Sequence, residues 1–382
     1  MPCTYGFLST YPPTQCGLAT FTAALMRSLV SPEFGDSAGV VRVVDTPVRS
    51  QAPEVVGHLH TQAPAAHLAA ATALNTFDIA VVQHEFGIFG GPDGDQLLAV
   101  LDAVRVPVIT VAHIVPASPT PHQREVLEQV VAASAAVVVM TNAARDRLIA
   151  GYRVDADKVS LIPHGAVRRG DGGGMPTPGS RPLILTWGLL GPGKGIEWSL
   201  RALARLQSLD PAPTYTVAGR THPKVLALHG ERYRAGLYQL GAQLGVSTSV
   251  SYDAVYRDDA SLNKLIRSAD VVVLPYDSRE QVTSGVLVEA VAAGIPVVAT
   301  TFPHAVELLT DGPGLLVPHE NPRRMAAAIR RVLTEPGLAA KLSGRNRTLA
   351  PTMLWPAVAA RYETLARHLL AAGSPAVVAV AA

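Results

Sequence analysis

The sequence predicts an α/β protein of two domains, each built on a parallel sheet, facing one another across a cleft. Three observations carry this. Short apolar runs alternate with helical patterns along the chain, the mark of βα units. The 382 residues exceed what one hydrophobic core usually organises. One stretch, Arg168-Arg169-Gly170-Asp171-Gly172-Gly173-Gly174-Met175-Pro176-Thr177-Pro178-Gly179, is dense in Gly and Pro, and the alternation restarts after it.

In order, strands are predicted near 5–9, 40–44, 79–83, 108–112, 136–140 and 159–162, with helices at 19–30, 95–103, 123–134 and 142–151. Beyond the Gly/Pro stretch come strands at 183–187, 214–218, 250–252, 271–275, 296–300 and 314–317. Helices fall at 196–207, 231–244, 322–334 and 354–371. The domains are therefore drawn as 1–170 and 180–350. Ligands of such sheets sit beyond the carboxyl ends of the strands, so the loops there are read most closely.

A hydrophobic content of 48% against 16% charged residues favours a compact enzyme over a disordered chain. The formal net charge of +2 gives no reason to expect a nucleic-acid partner. Two cysteines, Cys3 (assigned to the first strand) and Cys16 (in the loop after it), make no disulfide framework, so a reducing cytoplasm is the expected location. The N-terminus does not read as a secretory leader. The apolar run 376–382 is too short to span a bilayer and reads as a frayed tail.

The most informative stretch is Ser278-Arg279-Glu280-Gln281-Val282-Thr283-Ser284-Gly285-Val286-Leu287-Val288-Glu289, which runs on to Gly294-Ile295-Pro296 and an apolar strand. It reads as a loop entering a helix, whose first N–H groups suit an anion. Glu289 lies five residues after Ser284, where a carboxylate can accept bonds from a diol. Gly188-Leu189-Leu190-Gly191-Pro192-Gly193-Lys194-Gly195 follows a strand and opens a helix, with Lys194 as a compact charge for phosphate. It is no P-loop, since Gly195 stands where Ser or Thr is required. Tyr11-Pro12-Pro13-Thr14-Gln15-Cys16-Gly17 follows the first strand in the same way. Asp93-Gly94-Asp95 is read as a helix start capped by Asp95 rather than a metal motif, and no zinc spacing is present.

The 278–299 stretch resembles the nucleotide-sugar pocket of the retaining glycosyltransferases of the two-Rossmann-domain type (GT-B), especially their large fourth family. The resemblance covers the whole chain and implies two Rossmann-like domains. The first binds the acceptor and is closed by the returning helix near 354–371; the second binds the donor. It implies a metal-independent hexosyltransferase that transfers a sugar with retention from a nucleotide-sugar donor to a sugar or oligosaccharide hydroxyl. GDP-mannose is expected ahead of UDP-glucose, a non-catalytic nucleotide-sugar binder is the other alternative, and no cofactor or membrane insertion is expected. Lys194, His113, Ser284 and Gly285 are the implied catalytic set. Gly17, Gly188, Lys194, Arg220, Arg279, Gln281, Val286, Glu289 and Tyr256 are the implied donor contacts; Gln15, His84, Glu85 and His113 the acceptor contacts. Two departures stand out: Leu189 replaces the family arginine, with Arg220 and Arg279 as the candidate substitutes, and Gln281 replaces the first of two paired acids. His164 matches the family's interdomain turn and is read as structural.

Overall fold

The computed structural model describes residues 2–373 other than 32, 34, 47–51, 64 and 169–179. The Gly/Pro stretch after Arg168 and the 376–382 tail therefore lie outside the described residues. The chain divides into two compact units, Met1–Pro163 with Trp355–Ala382, and His164–Leu354. The division falls at Pro163, short of the expected 170, because Ala166 donates its N–H to the Met353 carbonyl at 2.7 Å and so ties 164–168 to the second unit.

The first unit runs β1 (Thr4–Ser9), α1 (Gly17–Leu29), β2 (Ser37–Val44), β3 (Val55–His60), α2 (Ala66–Leu74), β4 (Ile79–His84), α3 (Gln96–Ala103), β5 (Val108–Ala112), α4 (Pro121–Ala133), β6 (Ala136–Val139), α5 (Asn142–Gly151) and β7 (Val159–Leu161). Its seven strands lie in the order β3-β2-β1-β4-β5-β6-β7, every pair parallel. Cys3 sits one residue before β1, its N–H donated to Asp36 Oδ1 at 2.8 Å. The strand β3 and helix α2 are additions to the sequence reading. Val56 is 50% exposed on this edge strand, and Gly57, His58 and His60 dilute its apolar signal.

The second unit runs β8 (Leu183–Trp187), α6 (Ile196–Ala204), β9 (Thr214–Ala218), α7 (Pro223–His229), α8 (Arg232–Gln243), β10 (Val250–Asp253), α9 (Asp259–Arg267), β11 (Val271–Leu274), α10 (Gly285–Ala292), β12 (Val297–Thr300), α11 (Pro303–Leu309), β13 (Gly314–Val317), α12 (Pro322–Thr334) and α13 (Leu338–Met353). Its order is β10-β9-β8-β11-β12-β13, again wholly parallel. Alternate residues face opposite cores, as a sheet covered on both sides requires: Leu185, Val272 and Leu274 pack on one face, Ile184, Val271 and Val273 on the other.

A last helix, α14 (Trp355–Gly373), returns to the first unit and packs along α1, with Trp355 edge-on to Phe21 at 5.0 Å. Strand order reverses between β1 and β4 in one sheet and between β8 and β11 in the other. In open parallel sheets such reversals leave the crevice that ligands use.

Candidate functional site

In the second unit, the loops leaving β8, β9 and β11 meet at the reversal. Gly195 opens α6 in the left-handed region, φ +63°, and a Cβ there would lie 1.8 Å from the Pro275 carbonyl oxygen. At Gly219, φ +137°, a Cβ would likewise lie 1.9 Å from the Gly188 carbonyl oxygen. Buried Arg234 holds this contact by donating from Nη2 to the Gly219 carbonyl at 2.7 Å. Lys194 thus stands on a loop seated directly on the end of β11, its Nζ 4.4 Å from the Tyr276 ring centroid. Among the described residues Lys194 has no carboxylate within ion-pair distance. Tyr276 is fixed through its carbonyl, which accepts from Thr300 Oγ1 at 2.6 Å and from His319 Nδ1 at 2.8 Å.

Four N–H groups at a helix start lack intrahelical partners. At α10 two of them are taken. Leu287 donates to Ser284 Oγ at 3.3 Å, the N-cap bond, and Ser284 itself donates to His304 Nδ1 at 2.8 Å. The N–H groups of Gly285 and Val286 have no protein partner among the described residues. This corrects the expectation for Ser284: its amide is committed to His304 and its hydroxyl to capping, so the available donors are Gly285 and Val286. Val286 also reaches the β8 loop, since a Cβ on Gly188 would lie 3.5 Å from its Cγ2. Glu289 is half-buried on the same helix.

Other expected donor contacts are placed differently. Arg279 is 67% exposed and pairs with Glu320 at 3.5 Å, a surface ion pair of small energetic weight. Arg220 is exposed, but its carbonyl accepts from Leu190 N–H at 2.8 Å, which binds the β8 and β9 loops together. The Gln281 carboxamide turns back to donate to the Thr283 carbonyl at 3.0 Å. Tyr256 follows β10, two strands out from β8.

In the first unit, Gln15 and Gly17 lie at the start of α1, which Cys16 caps by accepting from Ala19 N–H at 3.4 Å. Gly17 is exposed and Gln15 half-buried. His113 follows β5, its Nε2 donating to Gln83 Oε1 at 2.6 Å with its ring edge-on to Phe21 at 4.8 Å. Glu85 follows β4 and is half-buried. His84 does not fit an acceptor contact, because its side chain is 1% exposed within the sheet, edge-on to Phe86. Asp95 does not make the expected cap bond either. It lies 3.7 Å from His122, which also contacts Asp93 at 3.0 Å. Among the described residues no group of three or more His, Cys, Asp or Glu could hold a metal, and no helix is long and apolar enough to cross a membrane.

Burial lowers His84 to about 4 and His304 to about 3, both from near 6.5, because charge in the core is costly. The unfolded chain binds these protons first, so stability present above about pH 6.5 is lost as pH falls towards 4, on the order of a few kcal/mol in total. The melting temperature is expected to drop between pH 7 and 5 with proton uptake on unfolding. Calorimetry in two buffers of different ionisation heat measures that uptake, and unfolding without it would contradict the burial of these imidazoles.

Sequence reasoning did not single out His304, Arg234 or Thr300. His304 is the second residue of a short helix behind Pro303, and Arg234 reads as an ordinary polar position of α8.

Residues 181–335 match the family described as Glycosyl transferases group 1. D-inositol 3-phosphate glycosyltransferases of Stackebrandtia nassauensis and Acidothermus cellulolyticus are 30% and 32% identical over 255 and 241 residues. These matches cover 62% and 59% of this chain but 55% and 51% of the relatives, so the chain spans about half their length. Among solved structures, sucrose-phosphate synthase from Thermosynechococcus elongatus superposes at a TM-score of 0.75 and 18% identity, over 97% of this chain and 100% of that one. Anabaena Alr3699/HepE in complex with UDP and glucose does so at 0.74 and 18%, over 96% and 100%. The match to the glycosyl transferases group 1 is thus confined to residues 181–335, and the two parallel-sheet units have the GT-B fold of these solved structures.

Proposed function

We propose that this chain is a nucleotide-sugar-dependent hexosyltransferase that retains the anomeric configuration of the sugar it moves. The observation that carries the reading is the pairing of an unneutralised Lys194 with two unclaimed amides, Gly285 and Val286, at the ends of adjacent strands β8 and β11. A cation and helix-start N–H groups together suit a diphosphate leaving group. Glu289 on the same helix takes the ribose diol in this reading. Gln15, Glu85 and His113 on the first unit contact the acceptor, and Gly17 contacts the donor.

The reaction then proceeds on one face of the sugar. The bond from C1 to the diphosphate oxygen breaks, the acceptor oxygen bonds to C1, and its proton passes to the departing phosphate. Positioning and stabilisation of the diphosphate charge supply the acceleration. Lysine and amide donors neutralise the diphosphate without metal. The acceptor is a sugar or oligosaccharide hydroxyl, and the enzyme works in the cytoplasm without inserting into a membrane.

GDP-mannose is the donor proposed first, on the likeness of the Tyr11-Pro12-Pro13-Thr14-Gln15-Cys16-Gly17 segment to mannosyl-transferring enzymes. UDP-glucose is the second reading, favoured by a fold neighbour whose structure contains UDP-glucose. A thermal-shift panel with GDP, UDP, ADP and their mannose and glucose conjugates, with and without EDTA, separates them. A guanosine-only rise indifferent to EDTA is the expected result, and it should shrink in Glu289→Gln. A uridine-only rise selects the second reading, and no rise with any nucleotide refutes the diphosphate site.

A further inference from the structure

The loop between β11 and α10 is fastened to the neighbouring strand's helix by the backbone and the imidazole of one residue. His304, 5% exposed at the second position of α11, meets it twice. Its backbone N–H donates to the Gln281 carbonyl at 3.4 Å, and its Nδ1 accepts from Ser284 N–H at 2.8 Å. An imidazole that accepts at Nδ1 carries its proton on Nε2. Burial keeps it neutral, so the acceptor lone pair is retained across ordinary pH. Phe302, fully buried at the N-cap two residues earlier, and Ala305 anchor this end of α11 in the core.

We propose that His304 is a positioning residue for the diphosphate site: by taking the Ser284 amide it fixes the pitch at which α10 begins, and so the direction of the Gly285 and Val286 amides. The inference rests on the nucleotide-sugar reading above for its ligand. Without the imidazole, Ser284 N–H is buried unsatisfied and the start of α10 turns to find another acceptor. That rotation misdirects the two neighbouring donors.

The test exploits side-chain geometry. Asn places a carboxamide oxygen one bond from Cγ, as His places Nδ1, whereas Gln reaches to where Nε2 stands. Titration calorimetry with UDP and GDP is expected to give His304→Asn an affinity within about threefold of the unmodified protein. His304→Gln and His304→Ala should be weaker by roughly tenfold or more, when measured at a temperature where each variant is folded. Equal affinity in all three variants overturns the proposal, and so does an Asn variant as weak as Ala. If the unmodified protein binds neither nucleotide, the functional reading fails instead. The geometry is then decided by 15N-histidine spectra of the unmodified protein, which must show His304 as the Nε2–H tautomer. An Nδ1–H tautomer overturns the inference whatever the binding data and however the variants fold.

Discussion

Lys194→Ala is expected to lower kcat/KM for the nucleotide sugar by roughly 10²–10³-fold, the effect of removing one donor from a charge-stabilising site. The melting temperature should change little, because among the described residues Lys194 has no ion pair to lose and gives up one cation–π contact, its Nζ lying over the Tyr276 ring 4.4 Å from the centroid. Lys194→Arg should recover only part of the activity, since a planar guanidinium cannot occupy the place of a compact ammonium on so tight a loop. Steady-state kinetics with a confirmed donor, beside a melting curve of each variant, separates charge from folding. An Ala variant retaining near-normal turnover would remove Lys194 from the proposed chemistry.

Gly195→Ala is expected to act in the opposite sense, on stability first. The residue is left-handed at φ +63° and its would-be Cβ lies 1.8 Å from the Pro275 carbonyl oxygen, a backbone atom that cannot swing aside. Either the α6 start or the end of β11 must move, at a cost of about 2–4 kcal/mol. Gly193→Ala on the same loop is the control. Its φ of +85° is unfavourable to alanine, but a Cβ meets nothing within 4 Å, so it should cost less. Denaturant titration of both variants measures the difference. Equal midpoints would mean the two loops are not in the contact described.

Much of this architecture is legible in the sequence because buried parallel strands announce themselves. For Val108–Ala112 and Gly314–Val317 the sequence predicts the bounds that the structure has. The edge strand Val55–His60 gives no such signal, since it spends three of six positions on Gly and His. The helix Pro303–Leu309 gives none either, seven residues being too few for a helical period to repeat. The site divides in the same way. Gly188, Lys194, Gly285, Val286 and Glu289 sit in contiguous motifs around two helix starts, and local chemistry points to them. His304 bonds to Ser284 across 20 residues of chain, and Arg234 to Gly219 across 15. Such bonds exist only once the sheet has brought separate loops side by side.

The return of α14 to the first unit has a consequence for the order in which the molecule can be made. Val358, Tyr362 and Ala366 on this helix are at most 1% exposed, and Trp355 closes on Phe21 of α1. The first unit's core is thus complete only when residues from both sides of the second unit are present. A ribosome delivers residues 1–163 before, and the helix that covers α1 after, the whole of His164–Leu354. The second unit, contiguous in sequence, can finish packing while the first still waits with α1 uncovered. Of the two units, the one whose synthesis begins earlier is therefore the one whose core can close only later.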